Sequence, residues 1–223
     1  MPAHRDRSYP KRDVPKRDVP RQDVPKHGAP DNRRDALVRA AAALFREKGF
    51  DGTTIRDIAG AVGMQSGSPF YHFATKHELL LAVMEEGLRV GLDRSRAVVD
   101  EAAGLAPTER FRRLVRAHFG ILHETGSDFI AVMLYDWRSL PVPYRRRIVE
   151  LKDRYDALWQ ETIDELHREG RLRADATLAR LMILGAINFS ATWYRPKARA
   201  KNAFDLDALA DQTVALFLHE ATP

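Results

Sequence analysis

The hydrophobic positions from Asp31 onward recur three and four residues apart, which is the spacing of one helix face. The first stretch carries Leu37, Ala41 and Phe45 and ends at Gly49. Further helices are predicted at 54–62, 66–72, 75–92, 107–126, 127–136, 141–169, 177–194 and 205–220. The segment 127–136 is apolar on nearly every side, so we expect it to be buried at the centre of the fold. Because the period-two alternation of a half-buried strand is absent from the chain, the pattern predicts an all-α fold.

Two short helices joined by a glycine turn stand near the start of this pattern. Thr54 and Asp57 have the spacing of a capping box, and the helix that they begin runs to about Val62. Gly63 then makes a tight connection to a third, very short helix that begins at Ser66. Two helices joined in this way predict a helix-turn-helix, the motif that places a recognition helix in the major groove of DNA.

The first thirty residues differ in composition from the rest of the chain. A five-residue unit, Lys-Arg-Asp-Val-Pro in its clearest form, recurs there with Pro15, Pro20, Pro25 and Pro30 at its ends. Proline removes backbone donors and disfavours helix at the preceding residue, so this basic arm is predicted to be disordered. Two interpretations remain open, a contact to a polyanion and a solvated tail. The predicted organisation is the arm at 1–30, a helix-turn-helix domain at 31–80 and a helical effector-binding and dimerisation domain at 81–223.

The segment from Phe50 to Phe73, FDGTTIRDIAGAVGMQSGSPFYHF, closely resembles the DNA-binding domain of the TetR/AcrR family of transcriptional repressors. Thr75-Lys-His-Glu-Leu79 continues the resemblance. It implies an all-helical homodimer whose first three helices bind DNA, whose later helices bind a small effector, and whose last two helices form the dimer contact. The function implied is that of a repressor released from a palindromic operator when the effector binds. The alternative is a helical interaction module that does not bind DNA.

The resemblance also implies which residues contact DNA. Ser66, Ser68, Tyr71 and His72 fall in the recognition helix, Lys76 matches a phosphate-contacting lysine, and Thr53 and Thr54 match residues that touch the DNA backbone. Arg33 and Arg34 are expected to add local positive charge, and Gln65 is a candidate base reader because glutamine can bind adenine bidentately. The family usually has leucine and tyrosine where this chain has Pro69 and Phe70, so one tyrosine hydroxyl is missing and Tyr71 is expected to replace it.

The effector pocket is expected among the helices that follow the DNA-binding domain. Its candidate residues are Phe111, His118, Phe119, Met133, Trp137, Arg138, Tyr155, Trp159 and Asn188, each of which could equally be a core residue. Segments 135–141, 186–189 and 193–196 resemble the C-terminal domain of regulators of fatty-acid and steroid-ring catabolism, whose effectors are often acyl-CoA thioesters. This resemblance implies an amphipathic effector, with Arg138, Arg145 and Arg195 as candidate partners for its acidic end.

Composition narrows the function further. With 44% hydrophobic and 30% charged residues the chain has enough apolar residues for a core, and its lack of cysteine excludes disulfides and thiolate metal sites. We expect neither a membrane span nor a secretory signal, which indicates the cytoplasm. The nucleophile elbow, P-loop, dinucleotide fingerprint and His-Glu-x-x-His motifs are absent, so we predict no enzymatic activity, no cofactor, no metal and no catalytic residue.

Overall fold

The structure is a computed structural model that describes residues 30–65, 68–124, 128–194 and 204–219. Within these residues every regular element is helical, which confirms the predicted all-α fold. The α-helices are α1 (Pro30–Lys48), α2 (Ile55–Ala61), α3 (Lys76–Glu101), α4 (Pro107–His123), α5 (Asp128–Asp136), α6 (Val142–Arg168), α7 (Ala176–Trp193) and α8 (Leu206–Phe217). Two 3-10 turns, Ser68–Tyr71 and Trp137–Ser139, stand beside them. Apart from Pro30, the predicted basic arm lies outside the described residues, as do Ser66 and Arg195.

The N-terminal helices pack around the first turns of α3. The side chains of Leu37, Phe45 and Ile58 are almost fully buried against Leu79 and Leu80 of that helix. The same hydrophobic cluster continues into α5 and α6 through three further buried residues, Val132, Leu140 and Ile148. The apolar core of the helix-turn-helix therefore does not stop at residue 80, where the sequence placed a domain boundary.

The second hydrophobic cluster lies among α4, α6, α7 and α8. Trp159 is fully buried, and its ring meets that of Phe111 edge to face with centroids 6.2 Å apart. Arg110 and Glu165 form an ion pair between α4 and α6, and Arg180 of α7 lies 2.5 Å from Asp156 of α6. These pairs fix the register of the helices that surround the cluster.

Helix α5 is not the fully buried central helix that its composition predicts. Ile130 and Val132 are buried, but Tyr135 is 46% exposed and the other apolar side chains are only partly covered. The reason is that the helix has acidic ends that pair with the N-terminal helices: Asp128 forms an ion pair with Arg46, and Asp136 accepts a 3.2 Å hydrogen bond from the Phe50 amide. This prediction is therefore wrong, and α5 is a strap across α1 and α3.

The close approach of α3 and α5 depends on Gly87. A Cβ atom at this position would lie 2.9 Å from Phe129 Cβ and 3.3 Å from the Phe129 carbonyl carbon. We expect Gly87→Ala to lower the free energy of unfolding by about 1–3 kcal/mol, because the two helix backbones must separate. The measurement is urea unfolding followed by far-UV circular dichroism.

Gly60 provides the matched control. It also lies within a helix, but a Cβ atom there would meet nothing within 4 Å. Gly60→Ala should leave stability unchanged or raise it by up to about 1 kcal/mol through helix propensity. Equal effects of the two substitutions would show that helix propensity, not the α3–α5 contact, governs both.

Candidate DNA interface and effector site

Helix α2 begins with the capping box that the sequence predicts. The Thr54 hydroxyl accepts a 3.1 Å hydrogen bond from the Asp57 amide, and the Asp57 carboxylate accepts a 2.9 Å hydrogen bond from the Thr54 amide. The hydrogen bonds from Thr54 lower the pKa of Asp57, so the carboxylate stays ionised. Thr54 itself is exposed and stays a candidate for a DNA backbone contact.

Thr53, the preceding residue, is fully buried. Its hydroxyl lies 2.9 Å from the Gly49 carbonyl and 3.2 Å from the Leu44 carbonyl at the end of α1. The Thr53 side chain thus joins the start of α2 to α1, and a contact of this residue to the DNA backbone stays a prediction.

Lys76 connects the start of α3 to the segment between α1 and α2. Its ammonium donates hydrogen bonds to the Phe50 carbonyl at 2.8 Å and the Thr53 carbonyl at 3.0 Å, and it lies 4.0 Å from the centre of the Phe50 ring. This structural role was not predicted from the sequence. An ammonium carries three N–H groups, so one is left for a phosphate, and that contact stays a prediction.

The predicted recognition helix is a single 3-10 turn in its described part, Ser68–Tyr71. The buried Pro69 cannot donate a backbone hydrogen bond, and its carbonyl accepts from both the His72 and Phe73 amides at 2.9 Å. Tyr71 is 89% exposed, with its ring edge against His72. Gln65 and Arg33 are also exposed, so these side chains are accessible to DNA.

Six of the candidate effector residues lie together in the second hydrophobic cluster or against it: Phe111, His118, Phe119, Tyr155, Trp159 and Asn188. His118 is buried at their centre. Its Nε2 lies 2.9 Å from the Asn188 Oδ1 atom, which can only accept, so Nε2 carries the proton. Nδ1 then accepts from the Tyr155 hydroxyl. Burial lowers the pKa of His118 to about 4 and raises the pKa of Tyr155 to about 12, so both are neutral.

Ser95 of α3 is a polar side chain beside Tyr155 that was not predicted from the sequence, whereas Trp159 of α6 was among the candidates. Both side chains are fully buried and interact with the Tyr155 hydroxyl, where they oppose the rise in its pKa, although neither Ser95 Oγ nor Trp159 Nε1 has a hydrogen bond of good geometry within the described residues. Buried polar groups are normally hydrogen-bonded, so these contacts mark a polar seam in an apolar core. We call Ser95, His118, Tyr155, Trp159 and Asn188 the buried polar seam.

Met133, a seventh candidate, also packs against the second hydrophobic cluster and touches the N-terminal one. The other two candidates lie elsewhere: Trp137 packs against the N-terminal cluster, and Arg138 is exposed. Arg145 donates to the Leu140 carbonyl at 2.8 Å and the Arg138 carbonyl at 2.9 Å, so its guanidinium caps the turn before α6. Trp137 and Arg138 therefore do not join the buried polar seam.

A cleft of about 650 Å³ lies between α1, α3 and α6, where the N-terminal helix-turn-helix unit meets the helices that follow it. Its walls carry five arginines and four acidic residues, and none of the predicted effector residues lines it. The sequence offered no signal for this cleft, because its lining comes from four helices separated along the chain.

The outer face of α7 is apolar and exposed. Leu178, Leu181, Met182, Phe189 and Trp193 are each at least half exposed and recur at helical spacing. Gly185 and Ala186, in the middle of this face, are also exposed. Among the described helices none is long and apolar enough to cross a membrane, and the same residues contain no group of three side chains suited to a metal.

The buried, neutral His118 makes stability depend on pH. Its folded pKa of about 4 lies below the unfolded value of roughly 6.5, so the unfolded state binds more protons between these values. The associated stability is complete above pH 6.5 and is lost as the pH falls towards 4. Between pH 7.5 and 4.5, wild type should lose about 2–3 kcal/mol more unfolding free energy than His118→Gln in urea titrations. Parallel losses in the two proteins would contradict a neutral His118.

Comparison with known proteins assigns the family. Residues 37–83 match the bacterial regulatory proteins of the tetR family, and residues 104–220 match the tetracyclin repressor-like C-terminal domain. The HTH-type transcriptional repressor KstR2 of Mycobacterium tuberculosis is 33% identical over 74% of this chain and 83% of its own. Among solved structures, superantigen PfiT is 35% identical with a TM-score of 0.72, covering 86% of this chain and all of its own. AibR in complex with isovaleryl coenzyme A and operator DNA is 24% identical with a TM-score of 0.73, covering 83% and 97%. The chain belongs to the TetR family of transcriptional regulators.

Proposed function

We propose that the protein is a homodimeric repressor that leaves a palindromic operator when a small amphipathic effector binds. The observation that carries the proposal is the course of α3. This one helix of 26 residues begins at Lys76 in the helix-turn-helix and carries Ser95 into the buried polar seam, a rise of about 29 Å between the two residues. A change at the seam therefore moves an element that the DNA-binding unit is built on.

The DNA contacts that we propose are those accessible on the surface. Arg33, Thr54, Gln65, Tyr71 and Lys76 are the described residues with the required chemistry, and the name of KstR2 as an HTH-type repressor supports the sign of regulation. His72 is partly buried under the Tyr71 ring and is the weaker candidate. A protein that binds chromosomal operators acts in the cytoplasm, so we propose that location.

We propose that the dimer forms through α7 and α8. A dyad-related copy would cover the exposed apolar face of α7, and Gly185 and Ala186 permit close approach of two helix backbones. Leu216 of α8 and Phe204 just before α8 add exposed apolar surface. Two copies are needed because paired recognition elements must enter successive major grooves about 34–36 Å apart.

The effector that fits the buried polar seam carries an uncharged hydrogen-bond acceptor. Ser95 Oγ and Trp159 Nε1 face the Tyr155 oxygen without a hydrogen bond of good geometry in the described structure, and the surrounding side chains are apolar. A thioester or ketone carbonyl supplies such an acceptor without placing charge in the core. We therefore propose an acyl-CoA thioester of fatty-acid or steroid-type catabolism, with its carbonyl at Ser95 and Trp159.

The proposed coupling runs through α3 and the α5 strap. The effector would separate α3 from α6 at Ser95, while Asp128 and Asp136 of α5 transmit the change to Arg46 and Phe50 of the DNA-binding unit. Since coupling between two sites is reciprocal, operator DNA must weaken effector binding by the factor by which effector weakens DNA binding.

The test is a gel shift with the DNA upstream of the protein's own gene and a panel of acyl-CoA thioesters. We expect a specific shift that one class of thioester removes, because that ligand favours the conformer with mispositioned DNA-binding units. A shift that no thioester disturbs would contradict the effector assignment alone. Absence of a specific shift at low salt would contradict the repressor and favour an interaction module.

Tyr71→Ala refines the same experiment. Because Tyr71 is 89% exposed, its removal should leave folding intact while lowering operator affinity about tenfold, the effect of losing one good hydrogen bond to phosphate. Tyr135→Ala is the control, since Tyr135 is an exposed tyrosine of α5 outside the helix-turn-helix. Unchanged affinity in Tyr71→Ala would remove Tyr71 from the interface.

Met182→Glu tests the dimer. Met182 is 61% exposed on the apolar face of α7, so in a dimer its replacement would bury a carboxylate. We expect sedimentation velocity to show monomer where wild type is dimeric at micromolar concentration. Val142→Glu, which alters a 74% exposed valine at the start of α6, should stay dimeric. Dimers of equal strength in both variants would place the interface elsewhere.

A further inference from the structure

We propose that the cleft between α1, α3 and α6 is a second ligand site, and that it binds the phosphate group of a small organic phosphoanion. None of its residues belongs to the buried polar seam, and Arg34 is the one that the sequence also associated with DNA binding. With a volume of about 650 Å³, the cleft is in the size range of small-molecule sites.

The charges of the cleft are unevenly partnered. Glu86 accepts from Arg89 at 2.7 Å, Glu85 pairs with Arg147, and Glu150 accepts at 3.3 Å from Arg146 outside the cleft. Each of these carboxylates is therefore already neutralised. Of the four acidic residues that line the cleft, Asp35 is therefore the one that could still repel an anion.

Three arginines of the cleft form no ion pair with a carboxylate in the described part of the chain. Arg34 and Arg39 lie on the α1 wall, five residues apart, and Arg154 lies on the α6 wall. Arg34 packs its guanidinium 5.0 Å from the centre of the Phe73 ring, a contact to the ring face that leaves its N–H groups to donate sideways. Arginines without a direct ion pair in the described residues thus line two walls of one cleft, although Glu85 and Glu86 lie near enough to Arg34 to interact with its charge.

A phosphate group matches this arrangement better than a carboxylate does. It has three acceptor oxygens and up to two negative charges, so it can accept bidentate hydrogen bonds from one wall and a further hydrogen bond from the other. A single carboxylate has two oxygens and one charge, which one guanidinium satisfies.

The floor of the cleft is apolar, which points to an organic phosphate. Val38 and Ala82 are almost fully buried there, and Phe129 and Leu151 complete the floor. An aromatic base or an aliphatic chain attached to the phosphate would cover this surface and gain hydrophobic contact. Arg154 is also the chain neighbour of Tyr155, so the α6 wall of the cleft adjoins the buried polar seam along the helix.

An occupant of the cleft would bridge the two units of the molecule. Its phosphate would join α1, which belongs to the DNA-binding unit, to α6, which belongs to the effector-binding unit. Binding would therefore oppose any motion that separates these helices. This consequence for operator affinity rests on the proposed function, whereas binding itself does not.

The experiment is calorimetric titration of the full chain with adenosine 3′,5′-bisphosphate, inorganic phosphate and adenosine, without DNA. We expect saturable binding of the bisphosphate that weakens as sodium chloride is raised, because exposed charges are screened. Arg39→Gln and Arg154→Gln should each weaken it about tenfold, since each removes a charge-assisted hydrogen bond from a different wall. Arg168→Gln, at an exposed arginine of α6 outside the cleft, should bind like wild type.

The outcomes separate the possible sources of the phosphate. Inorganic phosphate that competes with the bisphosphate at similar affinity would identify a site for free phosphate, and phosphate binding much weaker than that of the bisphosphate would identify an organic ligand. No saturable binding of either, or equal loss in Arg39→Gln, Arg154→Gln and Arg168→Gln, would overturn the proposal. Wild-type bisphosphate affinity in Arg39→Gln and Arg154→Gln, with weaker operator binding, would assign these arginines to the DNA backbone instead. If no thioester changed the gel shift, the calorimetric evidence for phosphate binding would be unaffected.

Discussion

The first turns of α3 are the constraint on which both units of the molecule depend. Six consecutive residues, Leu79–Met84, are all buried, so neighbours pack against the helix on every side there. Its start is fixed by hydrogen bonds: the Thr75 hydroxyl accepts from the Glu78 amide at 3.1 Å, and Lys76 donates to two carbonyls at the α2 corner. A helix held in this way cannot bend locally at low cost, so displacement at its far end carries the DNA-binding unit with it.

In the proposed mechanism, the buried polar seam is what gives α3 two positions. In the observed packing Ser95 and Trp159 have only poorly formed hydrogen bonds to Tyr155, so both donors are incompletely satisfied. The proposed acceptor would satisfy them better but would separate α3 from α6. Coupling energies in allosteric proteins are typically about 1–3 kcal/mol, which is the size of the cost of one buried unsatisfied donor.

Local features of the sequence predicted local features of the structure well. The capping box at Thr54, the start of α3 at Thr75 and the helical periodicity depend on neighbours within four residues, which a single sequence displays. The structural roles of Thr53 and Lys76 could not be predicted in this way. Thr53 is buried where α1 and α2 meet, with its hydroxyl near both the Gly49 carbonyl and the more distant Leu44 carbonyl, and Lys76 donates to Phe50, 26 residues away. The burial of Thr53 and the partners of Lys76 therefore depended on how α1, α2 and α3 pack. The same limit concealed the partial exposure of α5, whose acidic ends find partners only in the folded chain.

The positions of the cleft arginines show why the arginine content of the sequence could not locate the proposed phosphate site. Arg145 and Arg154 lie nine residues apart on α6 and have the same side chain, but Arg145 is at the helix start, where free carbonyls of the preceding turn accept its N–H groups. Arg154 lies in the middle of the helix, where backbone carbonyls are already used, so its guanidinium is available to a ligand. Arg154 can help to bind an anion because Arg34 and Arg39 of α1 lie opposite it. A phosphate between them would hold the DNA-binding unit against α6, so the site opposes the separation of α3 from α6 that the seam ligand requires.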